Sequence, residues 1–99
     1  MEELNLSDRL RLIAGLIKKG SKVADIGTDH GYLPIFLVKS GITDRVIAMD
    51  VRKGPLKKAE DNTRAFCVFD QIELRLSDGL AALEKGEADT VTISGMGGR

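Results

Sequence analysis

Cysteine is nearly absent: one residue in 99 excludes a disulfide framework within the chain and makes a reducing compartment, the cytoplasm, the expected setting. That residue, Cys67, stands in Ala65-Phe66-Cys67-Val68-Phe69 and is expected to be a small buried core side chain. No apolar run approaches the ~20 residues of a membrane span. Glu2 and Glu3 stand where a secretory leader would carry bases, so a soluble protein is expected. Excess charge is also missing. The 15 acids and 15 bases cancel, which neither demands nor excludes a nucleic-acid partner. Linkers and low-complexity stretches are absent too, and 42% apolar with 30% charged residues is ordinary for a globular domain. A chain of this length forms one domain at most and buries roughly 60–70% of its unfolded surface.

What is present is an alternation of helical and strand patterns. Ser7 is an N-cap for a helix with Leu10, Ile13, Ala14 and Ile17 on one face, Lys18 and Lys19 near its end and Gly20 beyond. Lys22 to Ile26 reads as a strand, and Tyr32 to Ser40 as a helix that stops at Gly41, with Pro34 tolerated in its first turn. Arg45 to Met49 is a second strand ending at Asp50, and Pro55 opens a helix to about Ala65. Ile72 to Leu76 is a third strand, Leu80 to Leu83 a short helix ending near Gly86, and Asp89 to Ile93 a fourth strand. This order predicts an α/β fold: a Rossmann-like, doubly wound parallel sheet with right-handed crossovers, the first strand central. Such sheets carry more than four strands. The chain is therefore expected to be the N-terminal part of a longer domain, truncated after a fourth strand whose apolar edge invites pairing with a second copy.

Open α/β sheets bind ligands outside the carboxyl ends of their strands. The unusual polar residues fall there: Asp25 and Asp29, then Asp50, then Asp78, then Ser94 with its glycines. Asp25-Ile26-Gly27-Thr28-Asp29-His30-Gly31-Tyr32-Leu33 has the form of a strand feeding a cofactor loop. A dinucleotide fingerprint starting at Gly27 would need glycine at 29 and 32, where the chain has Asp29 and Tyr32. A carboxylate there repels a pyrophosphate and attracts a sulfonium and an ammonium, by several kcal/mol at short range for an effective ε of ~20. The charge points to S-adenosylmethionine. Asp50 lies 23 residues beyond Gly27, near the ~20-residue offset at which an acid meets ribose hydroxyls. Asp78, before Gly79 and Leu80, suits the adenine amine or a plain turn. Two basic clusters, Arg9, Arg11, Lys18, Lys19, Lys22 and Arg52, Lys53, Lys57, Lys58, Arg64, read as solvated helix faces that can also track an RNA backbone. No metal site is expected.

These segments, with Ala48-Met49-Asp50-Val51, Leu76-Ser77-Asp78-Gly79-Leu80, Ile93-Ser94-Gly95-Met96-Gly97-Gly98 and the opening Leu6-Ser7-Asp8-Arg9-Leu10, resemble the bacterial tRNA adenine-N1 methyltransferases that modify adenine 22. The resemblance covers essentially the whole chain. It implies a class I methyltransferase fold, S-adenosylmethionine as donor, tRNA as substrate, and a C-terminal helical region that this chain lacks. It further implies cofactor contacts at Asp25, Gly27, Thr28, Gly31, Tyr32, Asp50, Val51, Asp78 and Gly79. Asp29 and His30 are the catalytic candidates, and Ser94, Gly95, Met96 and Gly97 the substrate-binding ones. Two other readings stand beside it: an inactive truncated binding module, and a fragment of a nicotinamide-dependent oxidoreductase.

Overall fold

The computed structural model describes residues 6–94. Ser7, extended at ψ 160°, accepts from the Leu10 amide at 3.2 Å and opens α1, Asp8–Gly15. Then follow β1 (Val23–Ile26), α2 (Tyr32–Lys39), β2 (Val46–Asp50), α3 (Lys53–Ala65), β3 (Ile72–Leu76) and β4 (Thr90–Ile93). The four strands form one parallel sheet in the order β3-β2-β1-β4. The chain steps outward twice from β1 and then returns to its other side. That reversal creates a switch point between β1 and β4, at the carboxyl ends of the strands.

Register decides what lies under the site. Asp25 of β1 is level with Ala48 of β2 on one side and Thr92 of β4 on the other. Strand side chains alternate between faces, so Val23, Val46, Ala48 and Ile72 face one way and pack with Leu33, Ile35, Leu37 and Val38 of α2. Complete burial of Leu33, Ile35 and Leu37 contributes about 1.5–3 kcal/mol each. Arg75 points to the opposite face, where its guanidinium grips the β3–β4 connection: Nη1 donates to the Ala82 carbonyl at 2.7 Å, and Nη1 and Nη2 to Glu87 at 2.7 and 2.6 Å.

The strands and their order agree with the sequence reading; four local expectations are corrected. The first helix ends at Gly15 rather than near Lys19, because glycine is a weak helix former and the next amides, Leu16 and Ile17, bond back only three residues. The third helix begins at Lys53, one position pair before Pro55, which still falls in the first turn where its missing N–H costs no bond. Leu80 to Leu83 is a run of turns. There the Ser77 hydroxyl takes the Ala82 amide at 3.0 Å and Arg75 takes the Ala82 carbonyl, so side chains hold the groups a helix would use. Cys67 is exposed, with a left-handed φ of 62°. It closes α3: its amide donates to Arg64, and the Val68 amide to Thr63, the paired bonds of a Schellman end in which Val68 is buried and the preceding residue turns outward.

Candidate functional site

The loop after β1 is built from alternating backbone hands. Gly27, Asp29 and Gly31 have φ of 64°, 56° and 81°, while Thr28 and His30 between them do not enter that region. The alternation folds the loop back on itself and on β2: the Thr28 amide donates to the Met49 carbonyl at 2.8 Å, the Gly31 amide to the Thr28 carbonyl at 2.9 Å, and the Asp29 amide to the Asp50 carboxylate. Gly31 needs glycine twice over: a side chain there would be strained, and its Cβ would stand 3.1 Å from the Cβ of Ala59 in α3. The close approach seats the loop and the start of α2 against α3. Asn62, one turn further along α3, adds a bond from Nδ2 to the His30 carbonyl at 2.9 Å.

Asp50 joins this loop to the end of β2. It is 2% exposed; Oδ2 accepts the Asp29 amide at 2.9 Å and Oδ1 the Arg52 amide at 3.0 Å. An ionised carboxylate has about four lone-pair positions, so acceptor capacity remains. The Arg52 guanidinium leans over both acids, with Nε 3.5 Å from Asp50 Oδ1 and Nη2 3.8 Å from Asp29 Oδ1. His30 Nε2 lies 3.8 Å from Asp29 Oδ1, and its ring meets Tyr32 edge-on at 5.9 Å. Asp29, His30, Tyr32, Asp50 and Arg52 thus form one cluster. The Ser77 amide donates to the Asp50 carbonyl at 2.9 Å and brings the end of β3 alongside, with Asp78 exposed and Gly79 in a left-handed turn. Val51, Leu76 and Leu80 are exposed apolar side chains at these same strand ends, suited to a flat aromatic ring.

Asp25 sits lower than its sequence position promises. It is completely buried beneath the loop, where Oδ1 accepts from Thr92 Oγ1 and Oδ2 from Ser94 Oγ, both at 2.6 Å. Burial pushes its titration above the usual carboxylate value, opposed by the bonds from Ser94 and Thr92. Thr28 Oγ1, also buried, turns toward the same carboxylate, outside hydrogen-bond distance of any partner among the described residues. Asp25 therefore supports the site from below. Ser94 is brought to β1 by this contact, whereas Gly95, Met96 and Gly97 lie outside the described residues.

Arg52, Asn62 and Thr92 are parts of the site or its support that the sequence reading did not single out. Thr92 carried a signal, since it shares a strand face with Ser94, two residues on. Arg52 looked like one base in a solvated cluster, and most of that cluster is indeed surface pairing: Lys57 with Asp61 at 3.4 Å and Arg64 with Glu60 at 3.2 Å. A cavity of about 540 Å³ lies at the opposite end of the sheet, between Lys19, Lys22, Ile42, Arg45 and Val46. It touches none of the clustered residues, and the rule for open α/β sheets favours the carboxyl end.

A family model described as a methyltransferase domain matches residues 6–99. The chain belongs to this family. It is similar to the tRNA (adenine(22)-N(1))-methyltransferase of Bacillus subtilis (strain 168), 42% identical over 98 residues, which is 99% of this chain and 41% of that protein. Among solved structures, the B. subtilis tRNA methyltransferase TrmK superposes with a TM-score of 0.89 at 41% identity, over 96% of this chain and 41% of the other. M. capricolum TrmK, in complex with S-adenosyl-homocysteine, gives 0.83 at 43% identity, over 89% and 40%. The chain spans about two fifths of the length of these relatives. Membership in a methyltransferase family argues against the nicotinamide reading, in line with Asp29 and Tyr32 standing where a dinucleotide fingerprint needs glycine. No helix among the described residues is long and apolar enough to cross a membrane.

Proposed function

We propose that this chain is the N-terminal, donor-binding part of an S-adenosylmethionine-dependent methyltransferase acting on N1 of an adenine in tRNA. The observation that carries the proposal is the junction of Asp29 and Asp50. A loop of alternating hand and two carboxylates meet there at the carboxyl ends of β1 and β2, through the Asp29 amide bound to Asp50 Oδ2 at 2.9 Å. Fit to the donor is supported by the two acids: Asp29 suits its cationic groups, and Asp50 keeps acceptor capacity for a ribose diol. Val51 and Leu80 offer apolar contact for adenine, with Asp78 beside them.

The donor, when bound, supplies an electrophilic methyl group. Adenine N1 carries an in-plane lone pair, so no strong base is needed; the protein's work is to hold the two reactants in line, which supplies much of the acceleration. Methylation leaves positive charge on the base, and Asp29, with 45% of its side chain exposed, is the group to stabilise it. His30, with Nε2 3.8 Å from Asp29 Oδ1, is the group to hydrogen-bond donor or substrate. Ser94, Gly95, Met96 and Gly97 form the substrate side, and a tRNA substrate makes the cytoplasm the place of action.

Calorimetric titration tests the reading. S-adenosylhomocysteine is expected to bind the 99-residue chain, and Asp50→Ala to weaken it about tenfold or more, the factor carried by a hydrogen bond to a charged group. NAD is expected not to compete. A folded sample that ignores S-adenosylhomocysteine overturns the proposal, and transfer of methyl to tRNA by this chain alone would extend it.

A further inference from the structure

We infer that Asp25 and Arg9 are positioning residues that together hold Ser94, fixing the direction in which the chain leaves β4 beside the loop at residues 27–31. This rests on the reading of Ser94 as the start of the substrate side. Two observations carry it. Asp25 is completely buried and spends both oxygens on β4, one on Thr92 Oγ1 and one on Ser94 Oγ, at 2.6 Å each. From outside the sheet, the Arg9 guanidinium in the first turn of α1 donates to the Ser94 carbonyl, a contact that joins residues 85 apart in the sequence. Ser94 is thus held by hydroxyl and carbonyl at once.

Nothing in the sheet itself calls for this. Ala48 and Leu74, level with Asp25 in the same row, are apolar and complete the core without a charge. A buried carboxylate is costly to desolvate, and among the described residues no cation pairs with it. Hydroxyl bonds offset part of that cost but hold only one geometry. The arrangement therefore selects the exit direction of β4 rather than adding stability, a use of buried polar groups in specifying a unique structure.

Amide exchange by NMR on the full 99-residue chain, paired with S-adenosylhomocysteine titration, tests the inference. Arg9→Ala is expected to speed exchange at Ser94 about tenfold, the factor of one hydrogen bond, with the global unfolding midpoint and the affinity for S-adenosylhomocysteine unchanged. Arg9→Lys should recover most of the protection. In the wild type, the Ser94 amide shift should follow the Asp25 side-chain carbon titration with the same midpoint, a signature that a merely structural role would not produce. Asp25→Asn should expose Ser94 and Thr92 in the same way; if that variant does not fold, the two Arg9 variants decide. Unchanged exchange at Ser94 in Arg9→Ala, or equal acceleration of every amide, overturns the inference. So does an Asp25→Asn variant that loses S-adenosylhomocysteine while Ser94 stays protected, since Asp25 would then contact the ligand itself. A wild-type chain that binds no S-adenosylhomocysteine defeats the functional proposal alone, because Ser94 exchange is read without ligand.

Discussion

Cys67 occupies the place after α3 that glycine usually takes, and it does so at φ 62°. A side chain in that region costs about 1 kcal/mol. Cys67→Gly is therefore expected to raise stability by about that amount in urea unfolding, with no change in the Schellman bonds; a lower midpoint would show that the thiol makes contacts worth more than the strain. Glu87 carries a pH dependence. The bidentate bond from Arg75, helped by the Glu84 amide, lowers its titration from 4.5 to about 2. A lowered acid stabilises the fold fully above its unfolded value, and that contribution is lost as pH falls from about 4.5 through 2. Asp25 works in the opposite sense: its raised titration favours the fold at low pH, and that share is lost as pH rises through the raised value. Replacing Glu87 by Gln is expected to lower stability at neutral pH and to flatten the loss between pH 4.5 and 2. An unchanged acid limb in thermal melts would sink the assignment.

Elements differ in how openly the sequence declares them. α2 and α3 end in the same motif, with paired back-bonds from Gly41 and Ile42 in one and from Cys67 and Val68 in the other. Only the first could be read in advance, because glycine at 41 announces a left-handed residue and cysteine at 67 does not. β1 and β2 were legible as short apolar runs meeting an acid, and β3 and β4 by the alternation of apolar with polar residues. The Leu80 to Leu83 segment misled because its apolar spacing suits a helix, while Ser77 and Arg75, reaching in from the end of β3, claim its backbone groups. Gly31 ties α2 to α3 and shapes the loop between them. Gly31→Ala combines φ 81° with a 3.1 Å approach to Ala59 Cβ and is expected to cost about 1–2 kcal/mol. S-adenosylhomocysteine binding should fall further than stability does; parallel losses would reduce Gly31 to a packing role.

At the scale of the molecule, β4 lies at an edge of the sheet, with Val91 and Ile93 about half exposed at 47% and 53%. An apolar edge strand templates pairing with another chain, and lysine there blocks it. The mass of the chain in light scattering is expected to rise with concentration, and Val91→Lys to hold it at the monomer value. A wild-type chain that stays monomeric at every concentration would remove edge pairing.

The sequence by itself determined the alternation of strands and helices, the glycine-bearing loop after β1 and the acids at successive strand ends, because periodicity and glycine placement are local properties of the chain. It also carried the family through the run from Asp25 to Leu33. Only the tertiary structure decided what each acid does. Asp25 and Asp50 look alike in sequence, each closing an apolar strand. Register set Asp25 level with Thr92 and beneath Ser94, in the core, while Asp50 met the amides of Asp29 and Arg52 at the rim of the site. The distinction comes from which strand lies next to which, and that is settled by burial of the whole sheet rather than by any residue within it.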